Sequence, residues 1–392
     1  MHRFLRLRDY LQPATLVTSA LLVLILFSVV LLSVVLQGIY VIAAVVLSAF
    51  AYREVMRLTP SEKNTLIALV VFTAIVLPIN GFRTPTSVLH FTIMMAGIAG
   101  ALFATHDRAV YKRASFVVLA ITQAIIIGFL VVRGTTGFPL DEMLAQTSSN
   151  GITSIVICLQ INLCVANMLV SRKTSFITVS ITLYICIIGY GRGSILAAGL
   201  IWVVTAAYAS AAFGRSTRLI AGALLIAVIA YVGITNYHTI FDFFEVNTKV
   251  GAGLYDDARA TINQEYWSRM TGIYLVIGAS FDGSIVERFF NGNPHNSYIR
   301  GHHYLGLAYI LIMTAMAVRP LVTNMSIYLK GYHALMMGIL LFRASTEPIL
   351  FPTPLDLIFF ALFFLYRSES DPRVVEPTKF VTRDPRPLPA VW

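Results

Sequence analysis

Acidic side chains are scarce: 19 Asp and Glu stand against 29 Lys and Arg in 392 residues, and charged residues of both signs make up only 12% of the chain. A soluble globular domain carries about 25%, so a water-facing enzyme surface is excluded. Cysteine is almost missing as well. Cys158, Cys164 and Cys186 are the only three, all inside apolar runs, with neither metal-ligand spacing nor a disulfide framework. They read as small hydrophobes in helix packing. There is also no basic, aromatic-interleaved polar segment, so the net charge of +10 does not imply a nucleic-acid partner.

What is abundant is apolar. Hydrophobic residues make up 57% of the chain, in repeated runs near the ~20 residues that cross a bilayer as a helix. The pattern predicts an all-α polytopic membrane protein with about twelve transmembrane helices, at about 14–34, 38–52, 64–80, 88–105, 115–132, 151–170, 175–190, 195–213, 219–236, 297–318, 332–346 and 354–366. The N-terminal MHRFLRLRDYLQP has the basic flank of a signal peptide, but no small-residue cleavage pattern follows, and it reads as the start of a retained first helix. Four regions result: an N-terminal bundle of about nine helices over 1–236, a large loop with short amphipathic helices over 237–294, C-terminal helices over 295–366, and a Pro-rich, charged tail over 367–392 that reads as disordered.

Most of the 29 basic residues fall on one side of these spans, which makes that side and both termini cytoplasmic. The other side keeps Arg83, Arg133, Arg192, Lys249, Arg259, Arg269, Arg288, Arg300 and Arg343. Eight of those nine are arginine, whose planar fork matches phosphate oxygens bidentately. Arg83 and Arg133, each at the end of a span, read as interfacial anchors. Arg343 and Glu347 close the outer end of the eleventh span, either as a mutual ion pair or as the wall of a ligand channel. A coupled transporter would place ionisable residues deep in the spans, where there is little besides His90, Gln160 and Asn162.

Two outer segments carry candidate chemistry. GYGRGS, Gly189 to Ser194, sets glycines around Arg192 at the start of a helix, either as a phosphate cradle or as a tight turn with an anchoring arginine. NPHNSYIRGHHYLG, Asn293 to Gly306, returns the long loop to the membrane. Here Asn293 is expected to cap a helix with Pro294 at its first position, leaving His295 in the first turn, where the helix end keeps an imidazole neutral beside a bound anion. His302 and His303 read as structural hydrogen-bonding residues. Within the loop, EYWSRMTGIYLVIG reads as an amphipathic or partly embedded helix ending at Gly278.

HNSYIRGHHYLGLAYILIM resembles the signature of the bacterial O-antigen ligase and polymerase superfamily, with His-Asn, a mostly apolar run and Gly at the spacing of His295 to Gly306. GRGSILAAG resembles the family's Arg-Gly-small segment, and SRMTGIY its loop arginine ahead of an aromatic. The resemblance implies a GT-C-like, metal-independent glycosyltransferase of the inner membrane without a cofactor. Its donor would be an undecaprenyl-pyrophosphate-linked glycan at the periplasmic face.

On that resemblance Arg192 and Arg269 would hold the pyrophosphate and His295 would act on the acceptor hydroxyl. Arg259 and Arg288 are the alternative loop partners, because the aromatic after Arg269 is displaced to Tyr274. Arg259, Arg288, Arg300, Asn296 and Arg343 are the candidate substrate contacts. The expected function is a polymerase joining repeat units, with a ligase that passes glycan to a lipid A core as the alternative and a polysaccharide transporter as a more distant one. Implied partners are an acceptor glycan or lipid A core, the lipid bilayer, and flippase and chain-length regulator proteins.

Overall fold

The computed structural model describes residues 10–31, 33–50, 55–144, 147–210, 257–323 and 325–366, all helix and connecting turns with no strand among them. The expected ninth span, 219–236, the first part of the long loop and the tail after 366 lie outside the described residues. Each of the other eleven apolar runs coincides with a helix. Before the long loop these are α1 (Pro13–Val30), α2 (Val34–Phe50), α3 (Pro60–Arg83), α4 (Thr86–Ala104), α5 (Arg108–Arg133), α6 (Ser149–Ser171), α7 (Phe176–Ile188) and α8 (Arg192–Ser210). The loop contains α9 (Asp257–Arg269), α10 (Tyr274–Ile277) and α11 (Ile285–Phe290), and the chain ends with α12 (Ser297–Val318), α13 (Ile327–Thr346) and α14 (Asp356–Phe364). Among the described residues seven helices are long and apolar enough to cross a membrane, consistent with a multi-pass protein.

Helix starts follow local chemistry. Thr59 and Glu62 form a reciprocal capping box before α3, with Pro60 in the first turn. Asp107, Ser148 and Ser326 cap α5, α6 and α13. Lipid supplies no hydrophobic force between helices, so close packing and polar ties hold them. The Tyr111 hydroxyl donates to Asn162 Oδ1 at 2.8 Å and Asn162 donates to Ser115 at 2.9 Å; Gln123 donates to Thr182, which donates to Gln160. Asn162 and Gln160, the deep polar residues of the sequence, therefore serve helix packing. Around these ties α6 is the central helix, lined almost throughout by its neighbours, and α14 is buried along its whole length.

The charges sort to the two ends of the bundle. At one end Arg319 meets the buried Glu62 at 2.9 Å, and Lys112 donates to Ser171. At the other, α12 departs from helical geometry at Gly306 (φ +80°), which leaves carbonyls without intrahelical donors. Asn80 and Arg83 of α3 supply them. Asn80 Nδ2 donates to Tyr304 O at 3.1 Å and to Ile277 O at 2.7 Å; Arg83 donates to Gly278 O at 2.8 Å and to His303 O at 3.5 Å. Arg83 is thus a clamp between α3, α12 and the loop. Arg133 pairs with Glu142 at the surface.

The stretch EYWSRMTGIYLVIG is not one helix. α9 stops at Arg269, Gly272 adopts φ +55°, and only the four-residue α10 follows, ending at Gly278. The glycine at 272 breaks the helix where an L-residue would resist the left-handed backbone.

Candidate functional site

At the loop-covered end of the bundle the starts of α6, α8 and α9 and the end of α13 surround a cavity of about 220 Å3. Its polar lining is Asn150, Arg192, Arg259, His295, Arg343 and Glu347. Three guanidinium groups against one carboxylate leave two positive charges among the described lining residues.

Arg192 is the first residue of α8, after a turn in which Tyr190 takes φ +55° and its hydroxyl donates to Thr135 O. Gly193 permits a close approach: a Cβ there would stand 2.9 Å from Arg343 Nη1 and 3.4 Å from Thr346 Oγ1. Its absence lets the start of α8 sit directly on the Arg343 guanidinium. Arg343 itself is 1% exposed and donates to Ser154 Oγ and Thr346 Oγ1 at 2.7 Å each. A buried guanidinium held by neutral acceptors remains a fixed positive charge facing the cavity.

Arg259 reaches the cavity because of how α9 packs. Arg259, Ile262 and Tyr266 lie on one helical face; Ile262 and Tyr266 are buried in a small cluster with Ala279, Phe281 and Ile299, and the Tyr266 hydroxyl meets His302 Nδ1 at 2.8 Å. That face pins α9 to α12 and brings Arg259 Nη2 to Glu347 Oε1 at 2.9 Å. Arg269, the loop arginine favoured by the resemblance, lies ten residues or ~15 Å further along the helix. It is not in the cavity; it donates to Glu265 Oε1 and to Asp282 O, both at 2.7 Å.

His295 is not in a first helical turn. The cap of α12 is Asn296, whose Oδ1 accepts from Tyr298 N at 2.9 Å and Ile299 N at 3.2 Å, and the helix starts at Ser297. Asn293 Oδ1 instead accepts from His295 N at 2.9 Å, a side-chain turn that competes with helix capping. His295 is left with φ +49°, a conformation that costs an L-residue roughly 1–2 kcal/mol. The Phe290 ring packs edge-on against the imidazole, and Nδ1 is buried without a hydrogen-bond partner among the described residues, 3.9 Å from Glu347 Oε2.

The remaining candidates lie elsewhere. Asn296 spends its side chain as the α12 cap. Arg288 is exposed and donates to Gly283 O. Arg300 does not line the cavity, and its Nε is buried without a partner among the described residues. His302 and His303 hydrogen-bond to Leu275 O and Ala279 O, at 2.8 and 2.7 Å.

Glu347, which the sequence offered either as an ion-pair partner of Arg343 or as part of a channel wall, lines the cavity. Its tightest contact is Arg259, while Arg343 stands at 3.8 Å. Burial alone would raise its carboxyl, but the His295 imidazole and the Arg343 and Arg259 guanidinium groups outweigh that and hold it below the ordinary carboxylate value. The spacing Arg343-x-x-x-Glu347 was the one available signal. Asn150 gave none beyond its place before an apolar run.

Among the described residues no three His, Cys, Asp or Glu side chains assemble as a metal site. The arrangement can bind an anion of two charges and offer an imidazole beside it. No protein-family model matches this chain, and no curated protein and no solved structure matches it.

Proposed function

We propose that this chain is a membrane-embedded glycan polymerase that joins oligosaccharide repeat units carried on undecaprenyl pyrophosphate. The observation that carries this reading is that Arg192 and His295, far apart in sequence, line one cavity with Arg259 and Arg343. Two surplus positive charges match the two negative charges of a pyrophosphate diester. The cavity is smaller than the ~300–1,000 Å3 of sites for drug-sized ligands, which suits a headgroup whose lipid and glycan extend outside it.

In this reading Arg259 takes the role expected of Arg269. The acceptor hydroxyl gives its proton to the His295 imidazole as its oxygen bonds to the anomeric carbon of the donor. The bond from that carbon to the phosphate oxygen breaks, and its electron pair leaves with undecaprenyl pyrophosphate. Arg192 and Arg259 stabilise the growing charge on the leaving group, and Arg343 supplies a fixed positive wall.

The test is deletion of the gene followed by a gel of the cell's surface polysaccharide. Capped single repeats support the polymerase, long glycan retained on the lipid carrier shows a ligase instead, and an unchanged ladder rejects both. In the deletion strain His295→Ala should fail to restore chain extension at normal protein level; full restoration would remove the imidazole from the mechanism.

A further inference from the structure

We propose that Glu347 is the positioning residue of this site, its two carboxylate oxygens holding the Arg259 guanidinium and the Nδ1 edge of His295 together. The inference rests on the reading above for what the two partners do, but the geometry stands without it. Glu347 follows the last turn of α13 in extended conformation and is 6% exposed. A carboxylate so buried is retained only where it is paired. Oε1 receives Arg259 at 2.9 Å and is approached by Arg343 at 3.8 Å, while Oε2 faces His295 Nδ1 at 3.9 Å.

The backbone fixes this meeting. The Ser297 hydroxyl, fully buried at the start of α12, donates to Glu347 O at 2.7 Å and accepts from Leu350 N at 3.1 Å. The segment carrying His295 is thereby tied to the segment carrying Glu347. Among the described residues Nδ1 has no other partner, and a closure of about 1 Å on ligand binding makes the hydrogen bond, a tightening common between empty and occupied sites. An imidazole that donates a hydrogen bond from Nδ1–H to Glu347 keeps its lone pair on Nε2. When Nε2 takes a proton from the acceptor, the imidazolium then lies against a carboxylate, the relation that orients the histidine of hydrolytic triads. The same carboxylate keeps Arg259 extended over the cavity.

The experiment uses the full chain in proteoliposomes with 15N-labelled histidine, the His295 signals being those lost in His295→Asn. Wild type is expected to show the Nδ1–H tautomer on addition of undecaprenyl pyrophosphate, and Glu347→Ala to shift to Nε2–H. Glu347→Asp, one methylene shorter, should shift as well and serves if the alanine variant does not accumulate. Glu347→Gln, which still offers an acceptor oxygen, should keep the tautomer yet lower kcat about 100-fold, with KM changed less than about threefold. An unchanged tautomer in the alanine and aspartate variants overturns the proposal, as does a glutamine variant that raises KM alone. If the tautomer responds as stated but no glycan is polymerised, Glu347 keeps its positioning role and the substrate assignment fails instead.

Discussion

At position 192 arginine and lysine differ by geometry rather than charge. A guanidinium presents paired N–H groups in a plane, whereas an ammonium is a point charge on a flexible stem. Arg192→Lys is therefore expected to cut polymer formation at least tenfold with protein level unchanged, read from the polysaccharide ladder of a complemented deletion strain. Full-length ladder from the lysine variant would show that fork geometry is not needed there. The residues around it were partly readable in advance: Arg192 from its glycines, Arg343 from its place at a span end, His295 from its motif. Arg269 and Asn296 were misplaced because residue type and spacing cannot report competition for a partner. Glu265 and Asp282 claim the first, and the free N–H groups of α12 claim the second.

Among the elements, α12 carries most of the consequence. Its early residues hold the loop through His302 and His303, its break at Gly306 exposes carbonyls, and α3 reaches across with Asn80 and Arg83 to satisfy them. Gly278 sits where the loop backbone lies directly on the His302 carbonyl; it has φ +96°, and a Cβ there would overlap that oxygen. Gly278→Ala is expected to destabilise by roughly 1–3 kcal/mol, lowering the thermal midpoint of the purified protein in detergent. An unchanged midpoint would mean that the loop does not rest on α12 in this way. The end of α10 at Gly278 was visible in the sequence, because glycine is the common residue past a helix end. The break at Gly272 was not, since the apolar pattern runs through it.

For the molecule as a whole, the two ends of the bundle must face opposite compartments. Asp282 is exposed beside the cavity end and Lys173 is exposed at the other, while Cys158, Cys164 and Cys186 are buried and should stay unlabelled in folded protein. A membrane-impermeant maleimide added to spheroplasts is expected to modify Asp282→Cys and spare Lys173→Cys. The reverse pattern would put the cavity in the cytoplasm, and labelling of both would contradict a bundle that spans the bilayer.

Hydropathy along the chain was enough to place helices long and apolar enough to cross a membrane, seven of them among the described residues, because burial in lipid acts on each segment separately. Only the tertiary structure decided which arginines share a cavity with His295. That choice depends on the packing of α9 through Ile262 and Tyr266, on the helix contact permitted by Gly193, and on the Ser297 tie that brings Glu347 to the cavity. Each of these joins residues distant in sequence, and no local pattern records such a contact.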